Sequence, residues 1–576
     1  MTNLMCRTSR FLQICGGMFK RILVLLVILA LSGALYARHE WQQWRAANHI
    51  QDLEWQGMGV SWNGVSFDSL SVTQLRDGQP WHARGDLKVS GLLTPGEREF
   101  TTGSMTVTAP LPNRALAGWQ PREGQVNLVI AGTASEQSAT LTLMAGSRLE
   151  LAELTAPEGA ASFDRLTLDL AGLEVNGEYT LAPISLESLV FSGPIVAAAQ
   201  AIHQPQLLPQ PWRLKGHLNG NLESVALDGR LSSDAGADTD ISLQLPFNGV
   251  PELDVELVST GALGGRALAA TFTAWPEALE ITEGTAKAVL GVKLLPEGTS
   301  LNGDFEFETV SGLFDRTAWT GLNGSVALNI SGEQLDVSTS DLSLDTVNPG
   351  IALSNIRFTG RYGSALEKPL EGELSVNRAS AGLLGGLVQV EPGQWQLSDL
   401  SSRRPLRVPV DLSGIKLSEL MQVYPAEGLA GSGVIHGRIP VLVGPDGVTV
   451  EAGRVAAMAP GGTLKLPADR LRGLAQGNEA MALVVQAMEN FNYDVLSSTI
   501  DYDQDGRLML GLRLEGNSPE VRDGHPIVLN INLEEDIPAL LTSLQLSGRV
   551  NEAVTEKVRD LIQKRNAKPQ SDGSGK

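Results

Sequence analysis

Cysteine is almost missing from this chain. Of 576 residues only Cys6 and Cys15 are cysteine, and both precede the one long apolar run. No disulfide framework, thiolate nucleophile or cysteine-ligated zinc is therefore open to anything after residue 15. Cys15 stands ahead of that run rather than at its end, which argues against a lipidated N-terminus. Tyrosine is scarce (6) while glycine is plentiful (62), a balance suited to many short strands joined by tight turns. Positive charge is also in deficit: the formal net charge is −21 and no Lys/Arg-rich stripe occurs. Nucleic-acid binding, which needs a basic face to neutralise phosphates, is excluded, and attraction of the body to anionic lipid surfaces is disfavoured. Catalytic signatures are lacking too. The seven histidines (His39, His49, His82, His203, His217, His436, His525) are scattered without an HExxH pair. There is no GxSxG elbow and no GxxxxGK[ST] loop. Carboxylates are abundant, but nothing marks a glycosidase-type pair. The chain reads as a non-enzyme without cofactor or metal. With 42% hydrophobic and 19% charged residues it is nonetheless a folding sequence, and its length calls for several domains or an elongated array.

Long hydrophobic runs are equally few. Ile22 to Ala37 (ILVLLVILALSGALYA) is an uncharged apolar stretch preceded by Arg7, Arg10, Lys20 and Arg21. Basic residues on that side hold the N-terminus in the cytoplasm, and the following Trp41 and Trp44 suit a membrane interface. The run is short for a span of about 20 residues, but Phe19 and a snorkelling Lys20 extend it. The expectation is a cytoplasmic segment 1–21 and a transmembrane signal anchor over 22–40, with Ile22, Leu26, Leu29 and Leu35 in lipid. Ser32-Gly33-Ala34 supports the competing reading, a cleaved signal peptide. Either way, everything beyond residue 40 is exported.

In the body the dominant period is 2. Leu166 to Leu170 and Leu253 to Leu257 alternate apolar and polar residues, as do Val326, Leu328 and Ile330 with their neighbours. The clearest cases are Leu508, Leu510, Leu512 and Leu514, and then Ile527, Leu529, Ile531 and Leu533. In a strand such residues share one face. Asn-Gly dipeptides at Asn63, Asn176, Asn219, Asn248, Asn302 and Asn323, and Asp-Gly at Asp77, Asp228, Asp446, Asp505 and Asp523, read as hairpin turns. The fold class predicted is mostly β: an elongated, twisted antiparallel sheet of roughly 35–40 strands, curled into an open apolar groove. The groove would be lined by the apolar residues of the last three runs.

Helical exceptions are few. Leu189 to Ala201 is Ala-rich and reads as a helix or lateral plug; Leu417 to Tyr424 reads as a short helix. Ile537 to Leu546 reads as a helix with Asp536 as N-cap and Pro538 in its first turn. Glu552 to Lys564 places Val554, Val558, Leu561 and Ile562 on one face, ahead of a polar tail. Val554, Val558 and Leu561 are partner-docking candidates, with capping of the sheet end as the alternative. The strand at Ile527 to Leu533 offers an edge to which a partner's strand could add. Asp501 to Gly506 (DYDQDG) resembles the start of a calcium loop, but position twelve is Leu512 and strands flank it, so a hairpin turn is expected. Gly431 to Gly437 (GSGVIHG) lacks dinucleotide-loop spacing and reads as glycines for close packing.

Three stretches carry a further pattern. Val410 to Leu466 runs from a short helix with Leu417 and Leu420, through Gly428-x-x-Gly431-x-Gly433 and Gly437-x-x-Pro440, to a turn at Asp446-Gly447 and then Gly453. Ala487 to Val521 and Leu529 to Leu546 complete it. The chain thereby resembles the AsmA-like superfamily, most closely the YdbH-type intermembrane phospholipid transport proteins. The resemblance implies a single-pass anchor in the cell inner membrane, a periplasmic β-groove over 41–400 and a family-specific β region over 401–550, followed by an amphipathic helix and tail over 551–576. It also implies phospholipid cargo moving between inner and outer membranes, and a small outer-membrane lipoprotein as partner. The alternatives are an exported envelope-assembly scaffold without cargo, a dicarboxylate-transport-related protein, or a polysaccharide-active enzyme. One membrane segment cannot form a solute pore alone, which sets the dicarboxylate reading behind the others.

Overall fold

The structure of the protein, a computed structural model, describes residues 49–540 and 542, apart from 77, 95, 112–118, 157, 158, 160, 182, 183, 296, 297, 402, 403, 424–428, 446, 466–478, 520, 522 and 523. It is mostly β, with antiparallel pairing and a few short helices. The described residues form 31 strands, fewer than expected because several are long: Leu279–Leu295 and Gly298–Phe314 have 17 residues each. No helix among the described residues is long and apolar enough to cross a membrane. The predicted anchor, with Ile22, Leu26, Leu29, Leu35, Trp41 and Trp44, lies outside the described residues, as does the helix with Val554, Val558 and Leu561.

The chain divides into two compact units. One comprises the chain up to Glu277 with Ala286–Phe305 and Asn329–Gly332; the other comprises Ala278–Thr285, Glu306–Leu328 and the chain from Glu333.

In the first unit each strand pairs with its sequence neighbour from Ile50–Ser61 through Gly64–Arg76, Gln79–Ser90 and Glu99–Leu111 to Gln120–Ser135. The ladder then splits. Ser138–Leu143 takes one half of Gln120–Ser135 and Arg148–Thr155 the other, and these continue into Glu174–Leu181 and Ser162–Asp169 respectively. Ile184–Ala199 rejoins both halves. Period-2 residues bury a closed core here. One row runs Val72, Ala83, Val107, Leu128 across four strands, none more than 4% exposed.

Bulges interrupt these ladders at Phe67/Leu70, Gly85/Lys88 and Thr102/Met105, and shift the apolar phase so that Phe67 and Leu70 are both buried. Asp86 satisfies the backbone freed at the third bulge, accepting from Gly103 N (2.8 Å) and Ser104 N (2.7 Å).

The predicted helix or plug at Leu189 to Ala201 lies instead in the strand Ile184–Ala199 and the start of the strand Ala201–His203. Pairing on both sides overrides its alanine content, because each residue gains a ladder partner that a lone helix would not supply. Several expected turns are corrected in the same way. Asn176-Gly177, Asn219-Gly220, Asp228-Gly229, Asn302-Gly303 and Asn323-Gly324 lie inside strands. At Gly229 an added Cβ would lie 2.7 Å from Lys215 O, so glycine there permits close strand approach rather than a turn.

In the second unit the ladder runs from Gln334–Asn348 through Leu353–Ala365, Glu373–Leu383 and Gly386–Val390 to Leu406–Lys416. It continues through Val434–Gly444, Gly447–Ala457, Phe491–Tyr502 and Arg507–Asn517 to Ile527–Asp536. The helix Leu417–Val423 forms as expected, and residues 537–540 are helical behind Asp536, whose Oδ1 accepts from Ala539 N at 2.9 Å as an N-cap. A further helix, Glu479–Met488, was not foreseen.

Candidate functional site

Register decides which residues share a face, and in the second unit it gathers one residue from each of six strands into a row that is apolar but for Ser498: Leu412, Gly437, Val455, Ser498, Leu512 and Ile531. On one side of this row lie Ile500, Leu510 and Leu533, then Val450, Tyr502 and Leu508. These side chains are half-buried except Leu533, which is 47% exposed. On the other side lie Leu496, Leu514 and Leu529, and these are buried. The candidates Leu508, Leu510, Leu512, Leu514, Leu529, Ile531 and Leu533 are thus brought onto one surface, with Ile527 packed at its closed end. Val326, Leu328 and Ile330 are half-buried and alternate with exposed Ala327 and Asn329 on their own strand, Thr317–Ser331.

What closes that end is helical. Leu417 of the helix Leu417–Val423 and Ala487 and Met488 of the helix Glu479–Met488 join Phe491, Tyr493, Leu514 and Leu529 in one cluster, with Met488 1% and Leu514 0% exposed. Tyr493 fixes the corner: its hydroxyl donates to Ser432 O at 2.6 Å, and burial pushes its pKa up. Gly433 (φ +120°) makes room, since a Cβ there would sit 2.1 Å from the Tyr493 hydroxyl. The Gly431-x-Gly433 pattern is therefore a packing device, as expected. The Asp501–Gly506 segment is the expected hairpin: Arg507 N donates to Asp503 Oδ1 (2.9 Å) and Gly506 N to Asp503 O (3.2 Å).

The first unit repeats this arrangement. Leu218, Leu227, Leu243 and Leu253 form one cross-strand row, flanked by Ile241 and Val255 and then by Leu214, Leu231 and Leu257. All are half-buried, whereas Lys215, Asp228, Arg230, Asp240 and Glu256 of the same strands are exposed on the opposite face. The next row, Trp212 and Ser233, is buried. Here the helix Gly261–Ala269 returns: Ala267 lies 3.8 Å from a Cβ placed on Gly236, and Thr271 behind it is 1% exposed. The alternation at Leu253 to Leu257 was visible in the sequence. The part played by Leu214 to Leu243 was missed, although period-2 apolar residues occur there too.

Chemically, each unit presents an apolar strand face, partly open to solvent along its length and sealed at one end by helix. Among the described residues no group of His, Cys, Asp or Glu is arranged to hold a metal ion. A half-open apolar face suits a flexible hydrocarbon chain, which gains about 0.8 kcal/mol per buried methylene and needs no specific polar contact.

Comparison with curated proteins and with solved structures gives no match. The family model described as YdbH-like, intermembrane phospholipid transport protein YdbH, matches residues 78–559. That span is most of the sequence and includes the apolar faces of both units, and the chain belongs to the YdbH-like family.

Proposed function

We propose that this protein carries phospholipid between the inner and outer membranes, holding acyl chains against the apolar strand faces while headgroups stay in water. The observation that carries the reading is the half-open row Leu412, Val455, Leu512 and Ile531, bordered by Leu510 and Leu508. A sealed structural core would leave no such row accessible. A succession of apolar positions keeps the burial gain nearly constant, with the buried Ser498 the one polar side chain in the row. Family membership supports the cargo class. The protein acts without catalysis or cofactor. Residues 22–40 anchor it in the inner membrane with the body in the periplasm, and a small outer-membrane lipoprotein receives the cargo. The strand Ile527–Asp536, paired among the described residues with Arg507–Asn517, and the segment predicted to be helical with Val554, Val558 and Leu561 on one face are the surfaces offered to that partner.

Photo-crosslinking in living cells tests this. A probe at Leu510 is expected to yield phospholipid adducts. A probe at Met509, 44% exposed on the other face, is expected to yield none. Absence of lipid at Leu510 in a well-accumulated protein would move the assignment to an envelope scaffold, the reading favoured by the closed cluster around Leu514 and Met488.

A further inference from the structure

We propose that the opposite face of the same C-terminal strands carries a binding site for a phosphate-type oxyanion, built from Arg454, Arg513 and His436. Side chains alternate across a strand, so this face is distinct from the apolar one, and the inference does not rest on the lipid path. Two cross-strand rows define it. One runs Asp411, Arg438, Arg454, Thr499, Gly511, Asn532; the other runs His436, Ala456, Ser497, Arg513, Asn530. Between them lies a depression of about 520 Å³ lined by His436, Arg454 and Arg513, with Ala456, Ser497 and Thr499 among its smaller residues.

The charges around it are unevenly matched. Arg438 is held by Asp411, Nε to Oδ1 at 2.9 Å, and by Glu391. Arg454 stands directly opposite Arg438, and like charges facing each other across an antiparallel pair are destabilising. Among the described residues Arg454 has no ion-pair partner. Arg513 pairs with Glu515 of its own strand at 2.6 Å, but both side chains are exposed, and such a pair gives way readily to a stronger acceptor. An oxyanion between Arg454 and Arg513 would give Arg454 the acceptor that Asp411 and Glu391 give Arg438, and would accept forked guanidinium hydrogen bonds, with Ser497 and Thr499 hydroxyls as further donors. Gly511 keeps the floor low: a Cβ there would lie 2.6 Å from Thr499 Oγ1. The ligand class is a phosphate oxyanion, which free phosphate and the phosphodiester of a lipid headgroup both present.

The test uses the full-length protein in an uncharged detergent. One arm measures equilibrium dialysis of radiolabelled inorganic phosphate. The other measures uptake of soluble dihexanoyl phosphatidylglycerol, with dihexanoyl glycerol as the phosphate-free control. Saturable binding is expected in at least one arm, weakened about tenfold or more in Arg454→Gln and in Arg513→Gln, and less in Arg454→Lys. Arg230→Gln, on the first unit, is expected to leave it unchanged. Phosphate binding identifies the free anion as sufficient; uptake of the phospholipid alone, lost in Arg454→Gln, identifies a headgroup. No saturable binding in either arm, or binding that Arg454→Gln leaves intact in a protein with unchanged β circular dichroism, overturns the site.

Discussion

Replacing Leu512 by Asp sets a carboxylate in the middle of the apolar row, between Ser498 and Ile531 across the sheet and Leu510 and Leu514 along the strand. A strand occupies about 4.8 Å of the row, room for about four methylenes of a chain lying across it. At about 0.8 kcal/mol each, the passing lipid forfeits about 3 kcal/mol there. That is about a hundredfold in occupancy. Leu512 is only half-buried, so the carboxylate keeps contact with water and the fold is expected to survive. Met509→Asp adds the same charge to the opposite face, where Met509 is 44% exposed, and serves as the control. With a photoreactive probe at Leu510, phospholipid adducts should fall to background in Leu512→Asp and stay at the starting level in Met509→Asp. Equal adducts in both variants would refute the argument that hydrocarbon runs over this row.

Two stability predictions test the helical closure and the N-terminal core. Met488→Ala empties a site that is 1% exposed and should cost about 2–5 kcal/mol, seen as lost hydrogen-exchange protection in Phe491–Tyr502 while Gln120–Ser135 is unaffected. Tyr179 is 4% exposed, donates to Ser135 O, and has its pKa pushed by burial up to about 12. Its folded value exceeds the unfolded value of about 10, so its contribution is intact below that pH and is lost as pH rises towards 12. Stability should fall by about 2 kcal/mol across that window, read as a drop in urea midpoint, and Tyr179→Phe should remove this component of the drop.

The period-2 alternation at Leu508 to Leu514 and Ile527 to Leu533 was enough to establish strands with one apolar face, because a strand allows side chains only two directions. Asp536 and Pro538 likewise marked a helix start from local chemistry alone. Local signals failed where the outcome depended on a neighbour. Asn-Gly and Asp-Gly permit turns but do not demand them, and at Asp228-Gly229 strand approach claimed the glycine instead. The alanines after Leu189 favour helix until strands on both sides offer hydrogen bonds. Nor could alternation show how a bulge is satisfied: at Thr102/Met105 the freed donors of Gly103 and Ser104 are taken by Asp86 of another strand. The same limit governs the site. The sequence by itself determined that Leu510, Leu512, Leu514 and Leu529 face one way. Only tertiary structure decided that the helices Leu417–Val423 and Glu479–Met488 seal Leu514 and Leu529 while Leu510 and Leu512 stay half-open, because burial depends on what packs above a face as well as on the face itself.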